Sequence, residues 1–372
     1  MHRGSRTAAW SAGLLAVLVA VVVVSAGVGP VSIAPGAVGR VLLNALALPA
    51  SVGLAWTGVP VPVVGVALPV PNPEVGFVHP FAFPVESTHE TIVLQIRLPR
   101  ILLGVLVGFA LAAAGVVMQG FFRNPMADPS IIGVSSGAAV GAVAVIVVPF
   151  AVPFGLGIRA AAFVGAVVTA FGVYLIASRN GKTPVATLLL AGVAVQTFLG
   201  AVTSFLLLQS GESMREVVYW LMGHLDGSGW NEVVGVALVV PPLVLVLLVF
   251  GRDLNVLLLG EDDAASLGIE VERTKRLLLA LASVVTAAAV SVSGVIGFVG
   301  LVVPHVMRLL VGPDHRILLP TSALAGAAFL VTADTVARTA MGGTELPVGV
   351  VTAAVGAPFF LYLLRSREVH EL

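Results

Sequence analysis

Cysteine is absent, lysine occurs only at Lys182 and Lys275, and charged residues make up 10% of the 372-residue chain. The first absence excludes disulfides, thiolate metal sites and cysteine nucleophiles. The scarcity of charge excludes an ordinary soluble domain, in which about a quarter of residues are charged. Nineteen basic and nineteen acidic residues cancel, so no excess of positive charge points to nucleic acid. The basic residues are nearly all arginine, a skew from which no function follows. What remains is apolar: 58% of the chain is hydrophobic and the mean hydropathy is +1.07. This is the composition of a polytopic protein dissolved in lipid.

A bilayer core of about 30 Å takes roughly 20 apolar residues per helix. On that basis spans are predicted at 8–28, 98–119, 131–149, 157–178, 185–209, 232–250, 274–293, 295–311, 317–340 and 346–365. The N-terminal stretch MHRGSRTAAWSAGLLAVLVAVVVVSAG has the basic start of a signal peptide. Its apolar run exceeds the ~7–15 residues of a signal core, so a first membrane helix is expected rather than a cleaved leader. Small residues recur within the spans, as in GFALAAAG and LAGAAFLVTA, and permit close helix approach where lipid supplies no hydrophobic drive. The expectation is one all-α domain over residues 1–372, about ten membrane helices with no soluble part.

Ten spans put both termini on one side. Thirteen of the nineteen basic residues fall on that side (Arg3, Arg6, Arg123, Arg179, Lys182, Arg252, Arg273, Lys275, Arg276, Arg308, Arg316, Arg365, Arg367) and six on the other. The excess predicts cytoplasmic termini. Arg97, Arg100 and Arg338 then stand at the outer ends of helices, against the rule. One such residue would be explained by snorkelling, but three together look like a landing site for an acidic partner. Residues 31–90, also outside, carry prolines every few positions and are expected to form an extended loop or short re-entrant elements.

Several motifs mimic chemistry without supporting it. SRNGKT, residues 178–183, ends like a phosphate-binding loop, but the glycine required five positions before Gly181 is Ile176. GVSSG, residues 133–137, has the form of a hydrolase nucleophile elbow around Ser135, yet no histidine base stands beside it in the spans beyond His305 near a cytoplasmic end; a packing motif at a helix start fits better. His89-Glu90 lacks the second histidine of a zinc protease. No metal site and no catalytic residue is expected.

Three stretches are informative. In QGFFRNPMADPSIIGVSSGAAVG, residues 119–141, Asn124-Pro125 and Asp128-Pro129 stop one span and reopen the next, because Asn and Asp cap free amides and proline suits a first helical turn. This is a tight cytoplasmic turn or a pore-lining element. In GEDDAASLGIEVERTKR, residues 260–276, Glu261, Asp262 and Asp263 suit the N-terminus of a short helix. Ala264, Ala265 and Leu267 give that helix an apolar face, Ser266 lies between them, and Gly268 ends it. It is a surface turn or a docking element for a cytoplasmic partner, spanning 260–272. Near the C-terminus, Asp334 and Arg338 are placed to pair four residues apart, while Gly356 and Pro358 are expected to interrupt the last span. Arg97-Leu-Pro-Arg-Ile-Leu-Leu and Arg273-Thr-Lys-Arg-Leu-Leu-Leu echo each other from opposite sides, a short match of the kind that inverted repeats leave.

Taken together, RLPR, QGFFRNPMADPSIIGVSSGAA, LLLAGVAVQ, YWLMGHLDGSGW, EDDAASLG, GFVGLVVPHVMRLLVG, ADTVAR and ELPVGVVTAAVGAPFFLYLL, in this order from Arg97 to Leu364, resemble the permease subunits of the FecCD/BtuC family. These are the membrane halves of type II ABC importers for vitamin B12, haem and ferric siderophores. The long proline-rich segment before Gln95 is a departure from the family. The resemblance implies a homodimer of ten-helix subunits in the cell membrane, in contact with lipid. It implies two ATP-binding subunits below, which hold ATP and Mg, and an extracytoplasmic substrate-binding protein above; this subunit would bind no cofactor and no nucleic acid. In that picture Arg97, Arg100 and Arg338 receive acidic residues of the binding protein, for which arginine's planar fork is suited. The stretch Glu261 to Gly268 matches the ATPase-coupling element, and Thr183-Pro184 matches a cytoplasmic gate. Cobalamin is the first substrate expected, from YWLMGHLDGSGW, with haem next and siderophores after it. The rival from another class is a secondary transporter driven by an ion gradient, for which a buried ionisable residue at mid-span would be the sign; an intramembrane hydrolase comes third.

Overall fold

The computed structural model describes residues 3–60, 67–148, 157–179, 181–342 and 344–365. Residue 149 of one predicted span, Asn180 within SRNGKT, and Arg367 lie outside them. The described body is helical. Ten helices match the predicted spans: α1 (Arg3–Gly27), α4 (Leu98–Phe121), α5 (Val134–Val147), α6 (Ile158–Ala177), α7 (Val185–Leu208), α9 (Trp230–Val249), α12 (Val271–Ser293), α13 (Val299–Val311), α14 (His315–Thr339) and α15 (Val348–Arg365). Seven of these segments are long and apolar enough to cross a bilayer unaided, while α5, α13 and α15 are shorter apolar helices. The connections add α2 (Pro35–Asn44), α3 (Ser87–Thr91), α8 (Met214–Leu221), α10 (Gly251–Leu257) and α11 (Glu261–Ser266).

The centre is set by α4, which packs on α14, α12, α13 and α9. In its most apolar window 78% of residues are buried, against 6% for α1 and 11% for α7, which form the rim. Glycine explains how polar-poor helices come this close. A Cβ on Gly108 would lie 2.3 Å from the Gly326 carbonyl, one on Gly115 would lie 2.0 Å from that of Gly300, and one on Gly137 2.4 Å from that of Gly165. Backbone thus meets backbone at the α4–α14, α4–α13 and α5–α6 crossings, the small-residue packing that lipid favours.

Five expectations need correction. First, the span expected from residue 98 starts earlier: α3, a π-helical turn at Ile92–Arg97 and α4 form one continuous rod, Ser87–Phe121. Arg97 therefore closes a π-turn, an element frequent at functional sites, and Arg100 lies in the α-helical turn that follows. Second, residues 295–298 are irregular and α13 is only 13 residues long. Gly294 and Phe298 both take positive φ, at 67° and 68°, which no helix continues through. Third, α15 runs unbroken past Gly356 and Pro358; Gly356 instead leaves room for the Phe298 ring, which a Cβ would meet at 2.4 Å. Fourth, the segment 31–90 is not simply extended. It contains α2, then an antiparallel hairpin of β1 (Leu48–Pro60) and β2 (Ala67–Val78), then α3, with Leu48 opposite Val78 and Pro60 opposite Ala67. Pro69, Pro71 and Pro73 fall two apart in β2, so all three share one phase of the ladder, which allows a two-stranded ribbon to turn their missing N–H positions outward. Fifth, the element expected at 260–272 is shorter, since α12 already starts at Val271.

Candidate functional site

Polar side chains gather at the two ends of the bundle. On the face opposite the N-terminus, three arginines gather near the end of α1. Helix α1 stops at Gly27; the Val24 and Gly27 carbonyls accept from the amides of Val28 and Ile33, and those of Ser25 and Ala26 are met by arginines. Arg97 donates from Nη1 to the Ala26 carbonyl at 2.7 Å and from Nη2 to that of Val31 at 2.5 Å. Arg338 donates from Nη2 to the Ser25 carbonyl at 3.2 Å and to its hydroxyl at 2.8 Å, and from Nη1 to the Val28 carbonyl at 3.3 Å. Two cations thus cap the negative end of a helix. Gly29 makes room for this, because a Cβ there would lie 2.6 Å from Arg97 Nη2.

The third arginine holds the acid of the cluster. Arg100 Nη2 donates to Asp334 Oδ1 at 2.9 Å, its Nε lies 3.1 Å from both oxygens, and its Nη1 donates to Glu345 at 2.6 Å. Asp334 also lies 3.2 Å from Arg338 Nε, which bears out the pairing expected four residues apart on α14. With its side chain 2% exposed, Asp334 is a buried carboxylate between two guanidiniums. The structure therefore brings Arg97, Arg100 and Arg338 together, but it buries Arg97 and Arg338 in internal bonds. Of the three, Arg100 alone borders the cleft on this face.

That cleft, about 910 Å³, is lined by Ile96, Arg100, Glu212, Arg215, Glu216, Tyr219, Asp226 and Glu345 among others. Its carboxylates outnumber its guanidiniums. The His224 ring stacks on Tyr219 with centroids 5.0 Å apart, and its Nδ1 lies 2.8 Å from Asp226. Burial, together with the adjacent Asp226 carboxylate, pushes the Tyr219 phenol up to about 12. Burial also works to raise the Asp226 carboxyl, yet His224 and Arg100 hold it below the usual carboxylate range. Sequence reasoning passed over Glu212 and Glu216, and used Tyr219, His224 and Asp226 only as part of the stretch YWLMGHLDGSGW. The signal was a cluster of titratable and aromatic residues in a stretch, 209–229, too polar to be a span.

On the face carrying the N-terminus, Asn124 and Asp128 cap as expected. Asp128 Oδ1 accepts from the Ser130 amide at 2.8 Å, Asn124 Oδ1 accepts from that of Met126 at 2.9 Å, and Pro129 opens a 3-10 turn. Pro125 lies within the turn between them. Gly133, at φ 83°, then starts α5, so GVSSG is a helix-start packing element. In α11 the apolar face divides. Ala264 is buried, whereas Ala265, Ser266, Leu267 and Gly268 project outward with Asp262 and Asp263, and Leu267 is 61% exposed.

Lys275 joins this short helix to the loop before α7. Its Nζ donates to the Thr183 carbonyl at 2.8 Å, to Glu261 at 3.0 Å and to Glu272 at 3.1 Å. Glu272 in turn accepts from the Thr183 amide at 3.1 Å. Thr183 is buried and Pro184 begins the descent into α7. The expected coupling element and the expected gate are thus in direct contact through one lysine. Among the described residues no group of three or more His, Cys, Asp or Glu side chains is arranged to hold a metal ion.

A family model described as the FecCD transport family matches residues 17–366. The chain is 58% identical over 368 residues, 99% of each chain, to the cobalamin import system permease protein BtuC of Halobacterium salinarum. It is 45% identical over 280 residues to the hemin transport system permease protein HmuU of Yersinia pestis, covering 74% of this chain and 84% of that one. Among solved structures it resembles an inward-facing conformation of a putative metal-chelate type ABC transporter, with a TM-score of 0.75 and 30% identity over 96% of this chain and 98% of the other.

Proposed function

The chain belongs to the FecCD transport family, and from that premise we propose that it carries cobalamin across the cell membrane as one half of a homodimeric channel. As a family member it is a multi-pass permease subunit of an ATP-driven ABC importer, and it is not an enzyme; hydrolysis belongs to a separate subunit. That membership displaces the ion-gradient transporter considered from sequence. The observation that carries the substrate is the 58% identity, along the full length, to a cobalamin permease.

In this reading both termini are cytoplasmic, in keeping with thirteen basic residues on that side against six outside. Two ATP-binding subunits, loaded with ATP and Mg, seat on the α11 elements. The exposed Leu267 and Leu259, 61% and 63% accessible at a water-facing end, support a protein covering that surface. A substrate-binding protein seats over the outer cleft, where the Arg100 guanidinium, 12% exposed and shared between Asp334 and Glu345, borders the surface. Arg97 and Arg338 join such a contact only by leaving the α1 carbonyls. Closure of the ATPases presses on α11 and reaches the loop at Thr183-Pro184, which opens or shuts the path at the dimer axis. The ligand undergoes no covalent change.

The test is uptake of radiolabelled cobalamin, with haem and a ferric siderophore in parallel, in cells with and without the gene. Loss of cobalamin uptake alone is the expected result. Loss of an iron chelate with cobalamin uptake intact would overturn the substrate assignment.

A further inference from the structure

The loop and the short helix on the N-terminal face share no sequence proximity, since Thr183 lies 92 residues before Lys275. Yet three segments converge on one ammonium group. An ammonium has three N–H donors and no acceptor, and here each donor has its own carbonyl or carboxylate: one on the 178–184 loop, one on α11, and one on α12 itself. The side chain of Lys275 is 5% exposed, so the three bonds form away from bulk water, where hydrogen bonds to a charge are strong and hard to exchange. Next along α12, Arg276 Nε donates to the Tyr174 hydroxyl of α6 at 3.0 Å. Next to Thr183, Arg179 and Lys182 exchange two backbone hydrogen bonds.

We infer that Lys275 is the mechanical joint of the subunit, a positioning residue through which displacement of α11 is passed to the loop at Thr183-Pro184. The inference rests on the importer reading above, but it concerns a link inside this chain rather than the cargo. A shift of α11 carries Glu261 with it; the ammonium follows and draws the Thr183 carbonyl along, while Glu272 keeps Lys275 and the Thr183 amide in register. Hydrogen bonds fail within about half an ångström of stretch, so α11 and the loop either move together or separate.

The chain contains no cysteine, and Lys182 is exposed beside the loop's closing bonds, so Lys182→Cys provides a unique labelling point. The full transporter, assembled with its ATPase subunits in lipid vesicles, is labelled there with a spin or fluorescent probe and compared with and without ATP plus vanadate. In the parent the probe signal is expected to change with nucleotide. In Lys275→Met the change is expected to fall about fivefold or more, the low end of what coupling between sites carries, while ATP hydrolysis persists; Glu261→Ala is expected to reduce the probe response likewise, and Lys275→Arg to restore it in part. A purely structural role would lower hydrolysis and probe response together.

Should Glu261→Ala weaken the hold on the ATPase subunits, the Lys275→Met and Lys275→Arg pair decides, because the lysine side chain is 5% exposed. Should Lys275→Met fail to assemble, Glu261→Ala decides, because that carboxylate is 39% exposed. A probe response equal to the parent's in the assembled variants, or no response in the parent, overturns the joint. Absence of cobalamin transport by parent vesicles that still show the nucleotide response would overturn the substrate assignment and leave the joint standing.

Discussion

Asp334 is where a single residue governs the most charge. It receives Arg100 and Arg338 at once in a setting where its side chain is 2% exposed, whereas Glu345, the other partner of Arg100, is 40% exposed. Removing one partner of a buried ion pair strands the rest and costs about 3–5 kcal/mol; an exposed pair contributes about 0–1 kcal/mol. Asp334→Ala is therefore expected to lower the unfolding midpoint of the detergent-solubilised protein by several times the effect of Glu345→Ala. Equal shifts for the two variants would mean that the cluster is not the buried triad described. Tyr219 supplies a second check at this scale. The chain has three tyrosines, and that of Tyr219 is raised to about 12 by burial and by Asp226. A phenol whose folded value is raised holds its contribution below its ordinary value of 10 and loses it as pH climbs through the raised one. Ultraviolet titration of the folded protein should accordingly show an ionisation near 12 that disappears in Tyr219→Phe. Its persistence in that variant would assign it to another residue.

At the level of elements, sequence periods were informative where lipid dictates length and silent where tertiary contact dictates shape. The ten spans were legible because about 20 apolar residues have one use in a membrane protein. The end of α12 at Ser293 was legible from Gly294, but the unwound turn to Phe298 was not, since a phenylalanine at positive φ is set by its neighbours and not by its own preference. Pro358 pointed to a break that α15 does not make, because the helix keeps its course wherever packing compensates one lost bond. The π-turn at Ile92–Arg97 left no signal at all. The hairpin at 48–78 was hidden by its prolines, which argue against a strand until their even spacing is seen. It makes its main contacts within itself, and a lone two-stranded hairpin is marginal in water. Excision of residues 48–78 with a short glycine-serine closure is thus expected to leave the unfolding midpoint of the helical body unchanged. The ends permit this, as Leu48 and Val78 are directly paired. A marked drop in the midpoint would show that the ribbon braces the bundle.

For the whole molecule the question is which face meets which compartment, and the argument for a cytoplasmic N-terminal face is the excess of basic residues predicted on that side. The arginines also show how far a sequence reaches: their grouping at one end was legible, but their engagement with α1 was not, since the carbonyls of Ser25 and Ala26 lie more than seventy positions from Arg97 and Arg338. Legibility stopped at contacts distant along the chain. The Lys275 joint was beyond reach for the same reason. Orientation can be tested directly, since a cysteine-free chain reports any single cysteine without background. Asp262 and Glu212 are both exposed, the first on α11 and the second at the opposite end of the bundle before α8. With cytoplasmic termini, a membrane-impermeant maleimide applied to intact cells is expected to label Glu212→Cys and to spare Asp262→Cys until the membrane is opened. The reverse pattern would invert the molecule: it would put α11 outside, out of reach of any ATP-hydrolysing subunit, and with it the proposed coupling route through Lys275.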